Sequence, residues 1–426
     1  MVIVLLGALF VLIGLGVPIA FSIGLSSLLY LTLCGYPSFL VAQRTVQGIY
    51  SYPFLALPFF VFAGMLMDSG GITERLMKLA SALVGHFKGG LAAVTVTASV
   101  LFGALSGSGV GDTAAIGSIM IPAMKKKGYD ASFAAALMGC SGVLASLIPP
   151  SLTTVIIGAV GGISIGGLLL GGLVPGLLTA FSLIAVSTII SIKKGYGGEK
   201  KATFQELCLA IKGSLIPMMA PVIILGGILT GVFTVTEAAV VAVVYSLFVA
   251  LFVYREVSIK DLPDVAFKAV KISVSIMIIV GLASLFGWVL TAEQIPLILT
   301  KFFIAISPNK WVFLLIINLF VLLLGTFMET TAIVIILIPV LMPVVAAYEL
   351  NPIYFGIVFL LNTCVGANTP PLGVTLMTAS KIADVSFTKA SRAVWPFLGA
   401  TVVALILTVI FPALTTTLPA LVLGSH

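Results

Sequence analysis

The chain has 426 residues, 60% hydrophobic and 8% charged, with a formal net charge of +7 and a mean hydropathy of +1.28. A soluble domain carries ~25% charged residues, so the composition excludes one and indicates a polytopic membrane protein. Its Lys and Arg fall mainly in loops between apolar runs, where membrane orientation explains them and nucleic acid is not implied.

The first run, Val2 to Leu33, has no basic leader and no small-residue cleavage site ahead of it, so it is expected to be a retained membrane helix. Further runs follow at Leu91 to Leu105, Ser214 to Val232, Ala238 to Tyr254, Ile272 to Leu290, Trp311 to Leu324 and Val394 to Leu423. They are continuously apolar instead of alternating, which argues for helices and against a barrel. At ~20 residues per span the chain has room for roughly ten to twelve crossings. The expected fold class is an all-α polytopic bundle.

Between the apolar flanks Val94 to Leu105 and Thr113 to Pro122 lies the glycine- and serine-rich segment Gly103 to Asp112. Glycine destabilises a helix and frees backbone groups. Each flank is too short to span alone, so a re-entrant hairpin that enters and leaves by one face is predicted. Pro149-Pro150 then interrupts an apolar stretch at Ser146 to Ser151. Two prolines end a helix and release carbonyls, which predicts a discontinuous helix. The glycines from Gly161 to Gly172 read as close helix packing, since no Walker-type Gly-Lys-Ser or Gly-Lys-Thr follows and no ATP use is implied.

The most polar stretch contains Lys193, Lys194, Lys200 and Lys201 and divides the chain. It is expected to be a cytoplasmic linker with an amphipathic segment, residues 193–213, joining a first repeat, residues 1–192, to a second, residues 214–426. In the second half Gly325 to Thr331 supplies another hairpin tip and Gly366 to Gly373, with Pro370-Pro371, another helix break.

These pairs indicate internal duplication. Asp112 to Pro122 aligns with Glu329 to Pro339 at an offset of 217 (339 minus 122), while Pro149 and Pro175 recur as Pro370 and Pro396 at 221 (370 minus 149), so a four-residue insertion is expected between them. The loop after the first copy carries Lys125, Lys126 and Lys127, whereas Val344 to Pro352 has no Lys or Arg. Equivalent loops then face opposite sides, as inverted repeats require, although the lysines could equally do no more than solvate a loop.

A broken helix offers carbonyl oxygens to a cation at one half-end and amides to an anion at the other. Hydroxyls of Ser106, Ser108, Ser151, Thr326 and Thr369 could complete a sodium shell, or simply bond back to their own helices. Asp112 and Glu329 read either as cation-site or gating carboxylates or as caps of the helices that follow them, and both roles can hold together.

The residues resemble the large membrane subunit of TRAP transporters, the tripartite ATP-independent periplasmic systems of bacteria. The carriers are Leu57-Pro-Phe-Phe-Val-Phe-Ala-Gly64, Ser106-Gly-Ser-Gly-Val-Gly-Asp-Thr-Ala114, Leu147-Ile-Pro-Pro-Ser151, Gly231-Val-Phe-Thr-Val-Thr-Glu-Ala-Ala239, Asn351-Pro-Ile-Tyr-Phe-Gly356 and Thr369-Pro-Pro-Leu-Gly373. The resemblance covers essentially the whole chain. It implies a multi-pass protein of the bacterial inner membrane, and sodium-coupled import of an organic acid such as a sialic acid, a dicarboxylate or a sugar acid. A separate small four-helix subunit and a periplasmic binding protein would be its partners, and a transport domain would move against a scaffold like an elevator. The expected sodium set is Ser106, Gly107, Ser108, Asp112, Gly325, Thr326, Glu329, Gly366, Thr369 and Pro370, and the expected substrate set is Ser108, Pro149, Pro150, Ser151, Asn368 and Thr369. Many members have Asp where this chain has Glu329, and several read Phe-Thr-Pro-Thr-Glu at Phe233 to Glu237.

Other classes fit less well. Gly109-Val-Gly-Asp112 matches the GxGD pattern of intramembrane aspartyl proteases, but Tyr129-Asp130 follows it in a polar loop instead of preceding it in a helix. A proton-coupled carrier, in which Asp112 or Glu329 would titrate, or an ion channel remains open. Cys34, Cys140, Cys208 and Cys364 lack metal-ligand spacing, and His86 and His426 are isolated. No transition metal and no cofactor beyond coupling sodium are expected.

Overall fold

The computed structural model describes residues 2–307 and 309–424. The described residues form helices, turns and connecting segments, with no strand. Among the described residues seven helices are long and apolar enough to cross a membrane, eight if Ile295–Ile306 and Lys310–Gly325, at 118° to each other, count as one. This falls short of ten to twelve crossings because much of the apolar sequence is spent on half-length pieces. The opening run is one example: Gly16, at φ +80°, and Pro18 divide it into Val2–Gly14 and Ile19–Leu33.

Two helical hairpins are present. The first has arms Gly90–Ser106 and Gly109–Lys126, the second Lys310–Gly325 and Thr330–Ala347. Each turns over a few residues. At the first tip Gly107 adopts φ +60°, a left-handed conformation that glycine accepts without a Cβ penalty.

Two broken helices follow them. Ala131–Gly142 tightens into a final 3-10 turn, Val143–Ser146, stops at Pro149-Pro150 and resumes as Leu152–Gly161. Pro352–Gly366 stops at Pro370-Pro371 and resumes as Val374–Ala383. Their first halves form the centre of the molecule: every residue from Phe133 to Gly142 and from Tyr354 to Gly366 is buried. Apolar all round, they can only be surrounded by protein. Phe204–Leu229, by contrast, leaves Leu215, Met218, Met219 and Val222 exposed, as a helix facing lipid does.

The register of duplication is simpler than a split offset. Ser108 and Glu329 both cap the second arm of a hairpin, Pro122 and Pro343 both lie inside that arm, and Asp130 and Asn351 both cap a broken helix. All three pairs are 221 residues apart (329 minus 108, 343 minus 122, 351 minus 130), as are the proline pairs. No insertion is needed, and the structural counterpart of Glu329 is Ser108. The acidic pairing of Asp112 with Glu329 is out of register by about one helical turn.

The copies run antiparallel. The Asp130 amide donates to the Tyr196 hydroxyl at 3.0 Å, and the Lys125 ammonium donates to the Ala383 carbonyl at 2.9 Å. The first broken helix therefore begins on the face where the second ends. On the opposite face the Tyr354 hydroxyl donates to the Val409 carbonyl at 2.7 Å, and a Cβ on Gly167 would meet the Ile353 side chain at 2.5 Å. There the second broken helix begins beside the start of Ile165–Lys194. The hairpins open on opposite faces and their tips meet inside, which is the inverted-repeat plan.

Candidate functional site

Each hairpin tip rests against the break of the discontinuous helix in its own half. A Cβ on Gly107 would lie 3.0 Å from the Leu152 amide nitrogen and 3.1 Å from the Pro150 carbonyl oxygen. In the second half a Cβ on Gly366 would lie 2.6 Å from the Gly325 Cα. Only residues without side chains allow backbones this close.

A cavity of about 350 Å³ lies where the four elements converge. The first hairpin contributes Gly107, Ser108, Gly109 and Val110, and the second Glu329, Thr330 and Thr331. The broken helices contribute Ser146 and Thr153 from one copy and Ala367 and Thr375 from the other. Opposite them stand Ile272, Ser275, Ile276 and Ile279 of Leu262–Ala292.

Four helix N-termini open onto this cavity. The Ser108 hydroxyl accepts from the Gly111 amide at 3.3 Å, and the Ser151 hydroxyl, just behind the wall, accepts from the Thr154 amide at 3.2 Å. The Glu329 carboxylate accepts from the Thr331 amide at 3.0 Å, the Ala332 amide at 3.3 Å and the Thr331 hydroxyl at 2.8 Å. Val374–Ala383 starts at Gly373, which is left-handed at φ +51° and provides no side-chain cap. Amides and dipoles at such ends favour an anion. Among the lining residues Glu329 alone is charged, so the wall holds no cationic side chain.

Of the expected sodium residues, Gly107, Ser108 and Glu329 line the large cavity. Ser106 lies behind the first tip, where it lines a smaller cavity of about 140 Å³ with Asp68, Ser108 and Gly111. Gly325 and Gly366 form the close crossing already described, and Pro370 lies in the break beside it. The Thr326 hydroxyl donates to the Leu323 carbonyl at 2.7 Å and the Thr369 hydroxyl to the Val365 carbonyl at 2.8 Å, so both bond back to their own helices.

Asp112 does not reach the large cavity. It is fully buried one turn behind Ser108 and beside the buried Ser99 hydroxyl, and neither group makes a hydrogen bond of normal geometry. Of the expected substrate residues, Pro150 and Ser151 sit against the first tip with Ser106 and Gly107. Pro149 is in the same break. Asn368 is buried, with its amide nitrogen donating to the Cys364 carbonyl at 3.2 Å and its oxygen accepting from the Thr375 hydroxyl at 2.7 Å.

Thr330 and Thr331 lie in the hairpin tip the sequence marks, whereas Thr153, Cys364, Thr375 and the wall from Ile272 to Ile279 are cavity residues that sequence reasoning missed. Of the residues of that helix that line the cavity Ser275 alone carries a hydroxyl, which donates to the Lys271 carbonyl at 2.9 Å, so nothing local distinguishes it from an ordinary helix serine. Asp130 caps its helix through the Phe133 amide at 2.9 Å on the lysine-rich face, and shares no site with Asp112. Among the described residues no three His, Cys, Asp or Glu side chains group as a metal site.

The chain matches the family described as Tripartite ATP-independent periplasmic transporter, DctM component, over residues 6–414. It belongs to this family. The sialic acid TRAP transporter large permease protein SiaM of Vibrio cholerae is 38% identical over 424 residues, covering 99% of each chain. The C4-dicarboxylate TRAP transporter large permease protein DctM of Pseudomonas aeruginosa is 39% identical over 399 residues, 93% of each. The fold is similar to the YdaH transporter of Alcanivorax borkumensis, with a TM-score of 0.65 at 13% identity over 88% of each chain. This TRAP large permease is thus a multi-pass protein of the bacterial inner membrane.

Proposed function

We propose that this permease imports an organic acid by sodium symport, with the substrate carboxylate held by helix N-termini at the cavity and sodium by carbonyl and hydroxyl oxygens at the hairpin tips. One observation carries the reading: four half-helices from two inverted copies direct their N-termini at a cavity whose sole charged lining residue is Glu329. An anion entering such a cavity gains amide donors but no counter-charge, and Glu329 repels it. A bound cation removes that repulsion, so sodium must bind first or together with the substrate.

The hairpins and broken helices form the moving body in this account, sliding against the wall of Leu262–Ala292 to present the cavity to either side. The lysine-rich face, with Lys125 to Lys127 and Lys193 to Lys201, faces the cytoplasm. The substrate is a sialic acid, a C4-dicarboxylate or a sugar acid, delivered by a periplasmic binding protein and taken up with a small four-helix membrane subunit as partner. Proton coupling is the second reading, favoured by the fully buried Asp112 carboxylate, which pairs with no cationic side chain among the described residues.

Equilibrium binding of a radiolabelled acid to the detergent-purified permease tests the order of binding. Affinity should rise with sodium and not with choline, and affinity unchanged without sodium would contradict the coupling.

A further inference from the structure

A second cavity, of about 560 Å³, shares no lining residue with the cavity between the hairpin tips. Its walls are the amphipathic helix Ile72–Val84, the linker and the first turns of Phe204–Leu229. Four cationic side chains line it, Arg75, Lys78, Lys200 and Lys201, against the single carboxylate of Glu206.

Three acidic groups nearby are engaged, while Glu74, one turn before Lys78 on Ile72–Val84, is exposed and does not line the cavity. Glu206 accepts from the Thr203 amide at 2.7 Å and the Thr203 hydroxyl at 2.9 Å, closing a capping box. Glu199 accepts from the Ser81 hydroxyl at 2.8 Å, and Glu256 pairs with Arg75 at 2.8 Å. That is the sole ion pair among the described residues, so Lys78, Lys200 and Lys201 carry exposed, unpaired charge. Arg75 is held rigid on the cavity wall, its guanidinium 3.7 Å above the Tyr254 ring.

Leu209 of the lining is 62% exposed, and Phe204, Leu83 and Ile211 are exposed apolar side chains on the same two helices. Phe204 begins a 26-residue helix long and apolar enough to cross a membrane, and the cavity lies at its starting end, beside the lysines of the linker. Cationic walls next to exposed apolar side chains at the end of a membrane-spanning helix match a phosphate headgroup and its acyl chains.

We propose that this cavity binds the phosphate headgroup of an anionic phospholipid, with Lys78, Lys200 and Lys201 as its ligands and Phe204 and Leu209 against the acyl chains. The lipid would tie Ile72–Val84, the helix immediately before the first hairpin, to the start of the second half.

The test is native mass spectrometry of the full chain in detergent, titrated with phosphatidylglycerol, with phosphatidylcholine and with inorganic phosphate. Phosphatidylglycerol should be retained in preference to phosphatidylcholine. Replacing Lys78→Gln, Lys200→Gln and Lys201→Gln together should weaken that retention by about tenfold or more, while the three Lys→Arg changes should preserve it. Should the triple Gln protein not fold, Lys200→Gln with Lys201→Gln alone, both outside helices, gives the same reading. Equal retention of both lipids, or of phosphatidylglycerol by the Gln variant, would overturn the site. Retention of inorganic phosphate with no retention of phosphatidylglycerol would assign the site to a free anion and overturn the lipid.

Discussion

Gly325 and Gly366 meet backbone to backbone: a Cβ on Gly366 would stand 2.6 Å from the Gly325 Cα, and one on Gly325 would stand 2.8 Å from the Gly366 Cα. The first half has a similar contact one residue earlier in the arm, with a Cβ on Gly103 reaching 2.7 Å from the Ala145 Cα. In both copies the first arm of the hairpin therefore crosses its broken helix at a distance that no rotamer change can relieve.

Gly366→Ala should cost about 1–3 kcal/mol through overpacking and abolish uptake by separating tip from break. Gly226→Ala, where nothing lies within 4 Å, should instead be neutral or stabilising by about 0.5–1 kcal/mol through helix propensity. Thermal unfolding of the two purified variants decides it, and equal Tm values would show that the crossing is not tight.

Glu329→Gln retains an acceptor for the Thr331 and Ala332 amides but removes the charge. Stability should change little, whereas Glu329→Ala should lose about 0.5–2 kcal/mol with the cap. If Glu329 attracts the coupling ion, the Gln variant needs more sodium for half-maximal uptake. An unshifted sodium dependence would restrict Glu329 to its capping role.

The Thr375 hydroxyl joins the second half of a broken helix to Asn368 inside the break. Thr375→Val keeps the shape and strands the Asn368 oxygen, at a cost of about 1–3 kcal/mol. Uptake should fall more than in Thr378→Val, whose hydroxyl bonds only to the Val374 carbonyl at 2.9 Å. Equal losses in the two would remove Thr375 from the site.

Lys127 and Ala347 are exposed at the bases of the first and second hairpins. With Cys34 and Cys208 replaced, Lys127→Cys should react with an impermeant maleimide only in inside-out vesicles and Ala347→Cys only in intact spheroplasts. Reaction of both from one side would refute the inversion.

Much of this plan was legible because glycine and proline act locally. Pro149-Pro150 and Pro370-Pro371 mark breaks wherever they occur, and Gly107 marks a turn. The register was harder to read. Apolar runs align at many offsets, and matching Asp112 to Glu329 by charge chose a wrong one. The true equivalence, Ser108 with Glu329, pairs different chemistries that share the task of capping a helix. The far wall was not legible at all, since Ile272 and Ile276 reach the tips only through tertiary packing.

Sodium-driven, binding-protein-dependent uptake into proteoliposomes holding this permease and its small subunit tests the central claim most directly. The account predicts accumulation of an organic acid only with an inward sodium gradient and the binding protein outside. Equal accumulation without sodium, driven by a pH gradient, would contradict it.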